Sequence, residues 1–471
     1  MKLKVGLKKI LPPERSGKTF QMIGRVRIAV QPKQISRWLK SAEMKVVIVG
    51  TGVAGASAAI ALRNEGHRGP ITLIGSDPED PYRRPPLSKD FLGGTMPVER
   101  TRLKPPTIWA EKEIELIKGA NAESIDVGGK TIHLDSGQVL QYDQLLLATG
   151  GRPKVLKSEF MDMTHVYTLR HLRDVAPLRN ELNAGSHLVV VGAGLIGSEV
   201  AATAKGLGVK VTILEAASAP IARLMPAWLG EKVASLHKDM GVKMVMNARI
   251  ESFNQYEGGV RISMASGNRI DANAVLVAIG MTPNIELAAN AEIEVADGIV
   301  VDAYGRTSQD SVWAAGDVAN MENGFLGGRY RIEHWTNAQD HGVAVAKNIL
   351  GQNAPYNPVP WCWSDQYGVS LQICGWPDAS DDVGVRGDIN SNSFLTFFHR
   401  KGRLVGSIAF SKPKELRAIR ELIGKSPFIS PELLSDPKVD LAELAKSQIE
   451  AEQFENKRNE TAAIKDLVRE R

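Results

Sequence analysis

The sequence predicts an α/β fold: two domains built on parallel sheets, then a smaller α+β domain toward the C-terminal end. Three observations predict it. First, a segment repeats: Lys45–Ala59 reads KVVIVGTGVAGASAA and His187–Ala202 reads HLVVVGAGLIGSEVAA. Second, two apolar runs ending in glycine, Gln144–Gly150 and Ala274–Gly280, stand at matching places after the repeats, and Pro153 and Pro283 soon follow them. Third, the segment from about 358 to 425 changes pattern, with β-rich runs at Phe394–His399 and Leu404–Phe410 ahead of a helix-favouring stretch.

Each repeat is a β-branched strand, a Gly-x-Gly-x-x-Gly turn and an alanine-rich helix, followed by a second strand, Pro70–Gly75 or Val209–Glu215. This is the plan of a dinucleotide-binding βαβ unit, so the two large domains are expected to be Rossmann-like. Gly50 and Gly192 make the tight turn, Gly52 and Gly194 let backbone approach a pyrophosphate, and Gly55 and Gly197 let helix pack on strand. The helix N-terminus then offers amide donors to phosphate. A single such turn is weak evidence; two in the same context are strong. The expected division is a FAD-binding domain over 44–153 and 283–357, an NAD-binding domain inserted at 154–282, and a C-terminal interface domain at 358–425.

The two units differ at the end of the second strand. Glu215 stands there in the NAD unit, where a carboxylate accepts ribose hydroxyls and repels a 2′-phosphate, so NADH is expected over NADPH. In the first unit the strand ends Gly75-Ser76-Asp77, and either Ser76 or Asp77 takes the ribose contact. Val312–Val318 reads as a buried strand ending in Gly316-Asp317, and an aspartate in that position can hold a ribitol hydroxyl.

Composition narrows the partners. Residues 1–43 hold eleven Lys/Arg against Glu14 and Glu43, leaving 47 basic and 51 acidic residues for the rest. The body is therefore mildly acidic, and the excess of positive charge does not argue for nucleic-acid binding. The basic leader is expected to be a targeting peptide, a mobile arm for an acidic partner, or an accident of where the reading frame was taken to start, since Met44 directly precedes the first strand. From 426 to 471 the chain is polar and charged, expected as a solvated helix or a disordered tail. No apolar run reaches the roughly 18–20 residues of a membrane span. The two cysteines, Cys362 and Cys374, give neither a disulfide framework nor a zinc spacing; they read as core thiols in a reducing, cytoplasmic setting.

More specific segments are PYRRPPLSKDFL (Pro81–Leu92), ATGGRP (Ala148–Pro153), TLRHLRDV (Thr168–Val175), AAGDVA (Ala314–Ala319), RIEHWTNAQDHG (Arg331–Gly342) and VPWCWSDQYGVSLQICG (Val359–Gly375). With GAGLIGSEVAA (Gly192–Ala202), they make the chain, over about 44–425, resemble the FAD-dependent ferredoxin and rubredoxin reductases of oxygenase systems. The resemblance implies that Ala54, Arg84, Lys89, Ala122, Arg170, Asp317 and Trp335 contact FAD, with Lys89 near the isoalloxazine ring. It places Glu199 beside Lys89 and the nicotinamide as the second catalytic group, and adds Ile196 and Gly280 to the NAD set. Ser76 departs from the acid usual in that family. It also implies that NADH reduces FAD, which then reduces a 2Fe–2S ferredoxin or a rubredoxin.

Disulfide reductases of similar plan carry a cysteine pair after the first βαβ unit, and none stands here, so electrons are expected to leave directly from the flavin. Other expectations stay open: a small-molecule acceptor, or a slow redox sensor of the apoptosis-inducing type. Trp335, Trp361 and Trp363 are either core aromatics or a cover over the flavin edge. A basic patch for an acidic carrier is expected from Lys401, Arg403, Lys412, Lys414, Arg417 and Arg420, with Arg83 and Arg84. No metal site is expected, His334 and His341 reading as structural or solvated, and the oligomeric state is not legible.

Overall fold

The computed structural model describes residues 20–23, 26–29, 44–156, 158–425, 429–448 and 450–451. The reading of 1–43 as a leader beyond the fold lies outside the described residues, apart from an antiparallel pairing of Phe20–Ile23 with Val26–Ala29.

The first parallel sheet has the strand order Val312–Ala314, Gln144–Leu147, Val46–Val49, Ile71–Gly75, Ile114–Lys118. Its middle strand, VVIV, is buried along its whole length, as a strand covered by helices on both faces must be. The helix Val53–Asn64 leaves the glycine turn at the C-terminal end of that strand and packs on the helix Trp335–Ile349. The second parallel sheet repeats the arrangement with Val166–Tyr167, Ala274–Val277, His187–Val191, Lys210–Leu214 and Lys243–Val245. A three-stranded antiparallel meander follows in each unit, at 122–141 in the first and 250–272 in the second.

The chain passes from one unit to the other and returns through one short antiparallel pair, Gly151–Pro153 with Met281–Pro283. Pro153 and Pro283 sit at the strand ends here, where a missing amide donor does little harm.

The C-terminal part is a five-stranded antiparallel sheet in the order Trp361–Gln366, Val369–Gly375, Arg403–Phe410, Phe394–Arg400, Asp382–Gly387. One face packs on the NAD unit, where Ile221, Met225, Leu229 and Val233 meet Leu371, Phe398 and Phe410. The other carries the helix Pro413–Leu422 and, with it, Ile429, Leu434, Leu441 and Ala445, all buried in the same core. The expectation of a solvated or disordered tail from 426 is therefore corrected for 429–445. Four apolar side chains spaced through a polar stretch suffice to dock it, and Arg386 ties it down by donating to the carbonyls of Leu434, Asp436, Pro437 and Val439.

Candidate functional site

The two glycine turns are built alike. Gly50 has φ +120°, and a Cβ there would lie 2.1 Å from the Ala148 carbonyl oxygen; at Gly192 the values are +103° and 2.4 Å from the Ala278 oxygen. Each turn closes because its third glycine presses on the first, a Cβ on Gly55 or Gly197 falling 2.0 Å from the oxygen of Gly50 or Gly192. The helices that follow are capped by Gly52 and Gly194, with no side-chain cap and no acid in the first turn. Their leading amides stay available to an anion.

At the first turn, several polar atoms of the expected FAD set are buried without a partner: Asp317 Oδ1, Arg170 Nε and Trp335 Nε1. Asp317 Oδ2 accepts from Arg170 Nη2 at 3.1 Å, and Arg84 Nε donates to the Arg170 carbonyl at 3.1 Å. Burial, with Arg170 beside it, draws the Arg84 guanidinium down to about 10, so it stays charged at neutral pH. Ala54, Ala148 and Ala338 form a floor of small side chains. Gly316 belongs to it, since a Cβ there would come 2.7 Å from Ala54 Cβ. Unpartnered polar atoms converging over a small-residue floor, beside uncapped helix amides, fit a dinucleotide with a flat ring.

The Ser76–Asp77 alternative resolves into two environments. Ser76 is exposed at the strand end. Asp77 faces inward, accepting from the Tyr82 hydroxyl at 2.7 Å and meeting His171 Nδ1 at 3.2 Å. Burial pushes its carboxyl up, but these hydrogen bonds outweigh that and carry it down to about 2. Ala122 heads the strand Ala122–Asp126, next to Gly119 and Ala120, whose amides donate to the carbonyls of Asp77 and Gly75.

At the second turn Glu215 bends back on the glycine loop, accepting from the amides of Ala193 at 2.6 Å and Ala217 at 2.8 Å. Gly194 has open space where a Cβ would point, and Ile196 is 44% exposed. Gly280 closes the far side at φ +110°, with Arg223 Nη1 3.5 Å from where its Cβ would stand.

Between the turns Lys89, from the loop of the first unit, meets Glu199, on the helix Leu195–Gly206 of the second. Lys89 Nζ donates to Glu199 Oε1 at 3.0 Å, and Asp365 lies 3.9 Å from the same amine. Glu199 is only 3% exposed. Burial pushes its carboxyl up, opposed by Lys89 and by the hydroxyls of Ser88 (2.5 Å) and Ser364 (2.9 Å). Ser88 and Ser364 were missed by sequence reasoning. The signal was present in Ser364 and Gln366, polar residues two apart on the strand and hence on one face, opposite the exposed Asp365.

Trp361 and Trp363 stack at 5.3 Å, Trp335 stands edge-on to Trp363 at 6.3 Å, and all three are half-buried. His334 caps the helix that Trp335 begins, and His341 is buried against Tyr356 with Nδ1 3.3 Å from the Gly316 amide. Burial pushes the thiols of Cys362 and Cys374 up to about 12, so neither is a nucleophile at neutral pH. Among the described residues no group of three or more His, Cys, Asp or Glu converges as a metal site, and no helix is long and apolar enough to cross a membrane.

The expected basic patch does not gather as one surface. Lys401 and Arg403 sit at the turn between the last two strands, whereas Lys412, Lys414, Arg417 and Arg420 lie beyond the far end of Arg403–Phe410. Arg83 is held by the Arg100 carbonyl. Arg417 and Arg420 line, with Trp361, Asp340 and Tyr356, a cavity of about 420 Å³; Arg420 lies 4.9 Å over the Trp361 ring.

Residues 44–342 match the pyridine nucleotide-disulphide oxidoreductase family and residues 361–445 the reductase C-terminal family. Rhodocoxin reductase of Rhodococcus erythropolis is 36% identical over 84% of this chain and 93% of its own length. The ferredoxin–NAD(+) reductase component of the p-cumate 2,3-dioxygenase system of Pseudomonas putida is 37% identical over 85% of this chain and 98% of its own. Among solved structures, the covalent putidaredoxin reductase–putidaredoxin complex superposes with a TM-score of 0.83 at 32% identity, covering 86% of this chain and 99% of that one. With that fold, those two glycine turns and that C-terminal domain, the chain belongs to the pyridine nucleotide-disulphide oxidoreductase family, as an FAD-dependent, NAD(H)-using oxidoreductase of the ferredoxin reductase branch.

Proposed function

We propose that this protein oxidises NADH and passes the electrons through FAD to a 2Fe–2S ferredoxin that serves an oxygenase. The observation that carries the reading is the pair of a half-buried Lys89 with a buried Glu199, lodged where the two nucleotide units and the C-terminal sheet meet. Relatives named as ferredoxin reductase components of dioxygenase systems support the choice of acceptor.

In this reading Gly50, Gly52, Gly55, Ala54, Arg84, Arg170, Asp317 and Trp335 hold FAD, with Ser76 and Ala122 toward its adenosine end. Gly192, Gly194, Ile196, Gly197, Glu215 and Gly280 hold NADH. Bound FAD supplies the chemistry, accepting electrons in pairs and releasing them singly. Lys89 and Glu199 fix the local charge beside the ring: the ammonium is held in place by a carboxylate that accepts three donors and is screened from water. Asp317, anchored through Oδ2 by Arg170, keeps Oδ1 for a ligand hydroxyl. Trp335, Trp361 and Trp363 cover the ring's outer edge, and the carrier docks beside them near Arg417 and Arg420. With Cys374 buried, Cys362 half-buried and both protonated, electrons leave without a cysteine relay; the same unpaired thiols suit a cytoplasmic protein.

The test is steady-state NADH oxidation with cytochrome c, with and without added 2Fe–2S ferredoxin. Reduction of cytochrome c should rise steeply with ferredoxin. Stimulation by a rubredoxin alone would change the carrier, and fast turnover with a quinone but neither carrier would overturn the acceptor.

A further inference from the structure

Behind Glu199 runs a chain of buried polar side chains that holding the two cofactors does not require. Ser364, Gln366 and His237 are 0%, 3% and 0% exposed. Ser364 Oγ donates to Glu199 Oε1 at 2.9 Å, and Gln366 Nε2 donates to Ser364 Oγ at 3.1 Å. His237 Nε2 lies 3.0 Å from Gln366 Oε1, and the Tyr367 hydroxyl lies 2.8 Å from His237 Nδ1. The chain crosses between domains: Glu199 and His237 stand on two helices of the NAD unit, Ser364 and Gln366 on the first strand of the C-terminal sheet.

One arrangement of protons satisfies every member. An ionised Glu199 only accepts, so Ser364 must donate to it and can accept only from the Gln366 amide nitrogen. The amide oxygen then faces His237, whose Nε2 must carry a proton and whose Nδ1 is bare to accept from Tyr367. Burial brings His237 down to about 4, which keeps Nδ1 bare at neutral pH. Each donor thus points toward Glu199. A carboxamide does not pass protons between neutral partners as water does, so the chain orients rather than conducts.

We propose that His237 and Gln366 are positioning residues for NADH oxidation: they lock Ser364 as a donor to Glu199, which keeps that carboxylate ionised and Lys89 in place. The proposal rests on the reading that Lys89 and Glu199 flank the reacting ring. The other titratable groups around the pair are Asp365, the Cys362 thiol, pushed up to about 12 by burial, and His334, brought down to about 4 by burial. The last two are neutral near pH 7; Asp365, being exposed, needs its own control.

The experiment uses the full chain loaded with FAD, in the Gln366→Leu, His237→Phe, His237→Gln and Asp365→Asn variants. Flavin bleaching by NADH is followed anaerobically across pH, beside the NAD+ dissociation constant and flavin content. Gln366→Leu and His237→Phe should slow bleaching by about tenfold or more, with flavin content and NAD+ affinity kept. Their acid limb should move to higher pH, since a lost donor disfavours the carboxylate form. His237→Gln, whose amide can still donate to Gln366, should restore both rate and limb, and Asp365→Asn should leave the limb where it is. Independently of activity, ring-nitrogen NMR of the wild type should find His237 neutral and protonated on Nε2. An unmoved limb in Gln366→Leu, a rate loss that merely follows lost flavin, or a His237 protonated on Nδ1 would overturn the assignment, and the NMR result decides even if variants fail to fold. Failure of ferredoxin to accept electrons leaves the assignment intact; failure of NADH to bleach the wild type would remove the proposed function itself.

Discussion

The two glycine turns are near copies in sequence, yet the first is enclosed and the second open. Gly52 has the Arg84 guanidinium 3.4 Å from where its Cβ would point; Gly194 has nothing within 4 Å. The acid after the first turn is locked to Tyr82 and His171, whereas Glu215 rests on two backbone amides that a ribose can replace. Asp317, Arg170 and Trp335 close over the first turn, while Ile196 stands exposed at the second. In the proposed reading one motif serves a resident cofactor in one place and an exchanging substrate in the other, because enclosure, not the turn, sets how readily a ligand leaves.

The largest effect should come from alanine at two glycines, the first of the enclosed turn and the second of the open one. Gly50→Ala meets both a positive φ and a backbone oxygen at 2.1 Å, and strain of about 1–3 kcal/mol plus the clash should leave a protein that purifies without flavin. Gly194→Ala meets no protein atom, so flavin content and melting temperature should hold while the Michaelis constant for NADH rises. Loss of flavin in Gly194→Ala would break the comparison.

Next in size, Glu215→Ala should weaken NADH by about 1.5–3 kcal/mol and narrow the gap to NADPH, for want of one charge-assisted contact. Flavin content should not change. A wild type that already prefers NADPH would show that Glu215 does not set the choice.

Acid should weaken both halves. His341 at the first site and His237 at the second are brought down by burial to about 4. Between about pH 6.5 and 4 the unfolded chain therefore binds protons that the folded one refuses, so stability falls as pH falls, by about 1–2 kcal/mol for each at pH 5. Asp77 acts lower down: its folded value of about 2 gives stability that is full above pH 4 and lost as pH falls toward 2. Flavin release in acid should thus show two stages, and Asp77→Asn should remove only the lower one. A melting temperature flat from pH 7 to 5 would refute the histidine part.

The smallest effect belongs to the exposed face. Arg417→Glu should raise the Michaelis constant for ferredoxin a fewfold at low salt and less at high salt, since an exposed charge is worth about 1 kcal/mol or less. The constant for NADH should stay put; equal changes in both would remove Arg417 from docking.

The sequence by itself determined both parallel sheets and both glycine turns. β-branched runs ending in Gly-x-Gly-x-x-Gly admit few other conformations, and the strand Val46–Val49 lies where its apolar residues put it. The meeting of Lys89 with Glu199 came only through family resemblance, since 110 residues separate them and no local pattern joins them. Tertiary structure alone decided the rest. The tail from 429 docks because four scattered apolar residues find a sheet face they could not announce. The expected basic patch divides because an eight-residue strand, Arg403–Phe410, holds its two parts apart. The chain from His237 to Glu199 exists because three elements distant in sequence each bury polar groups that only the others can satisfy. Local propensity and period are written along the chain, but the partner of a buried polar group is fixed by packing, and packing is read only in three dimensions.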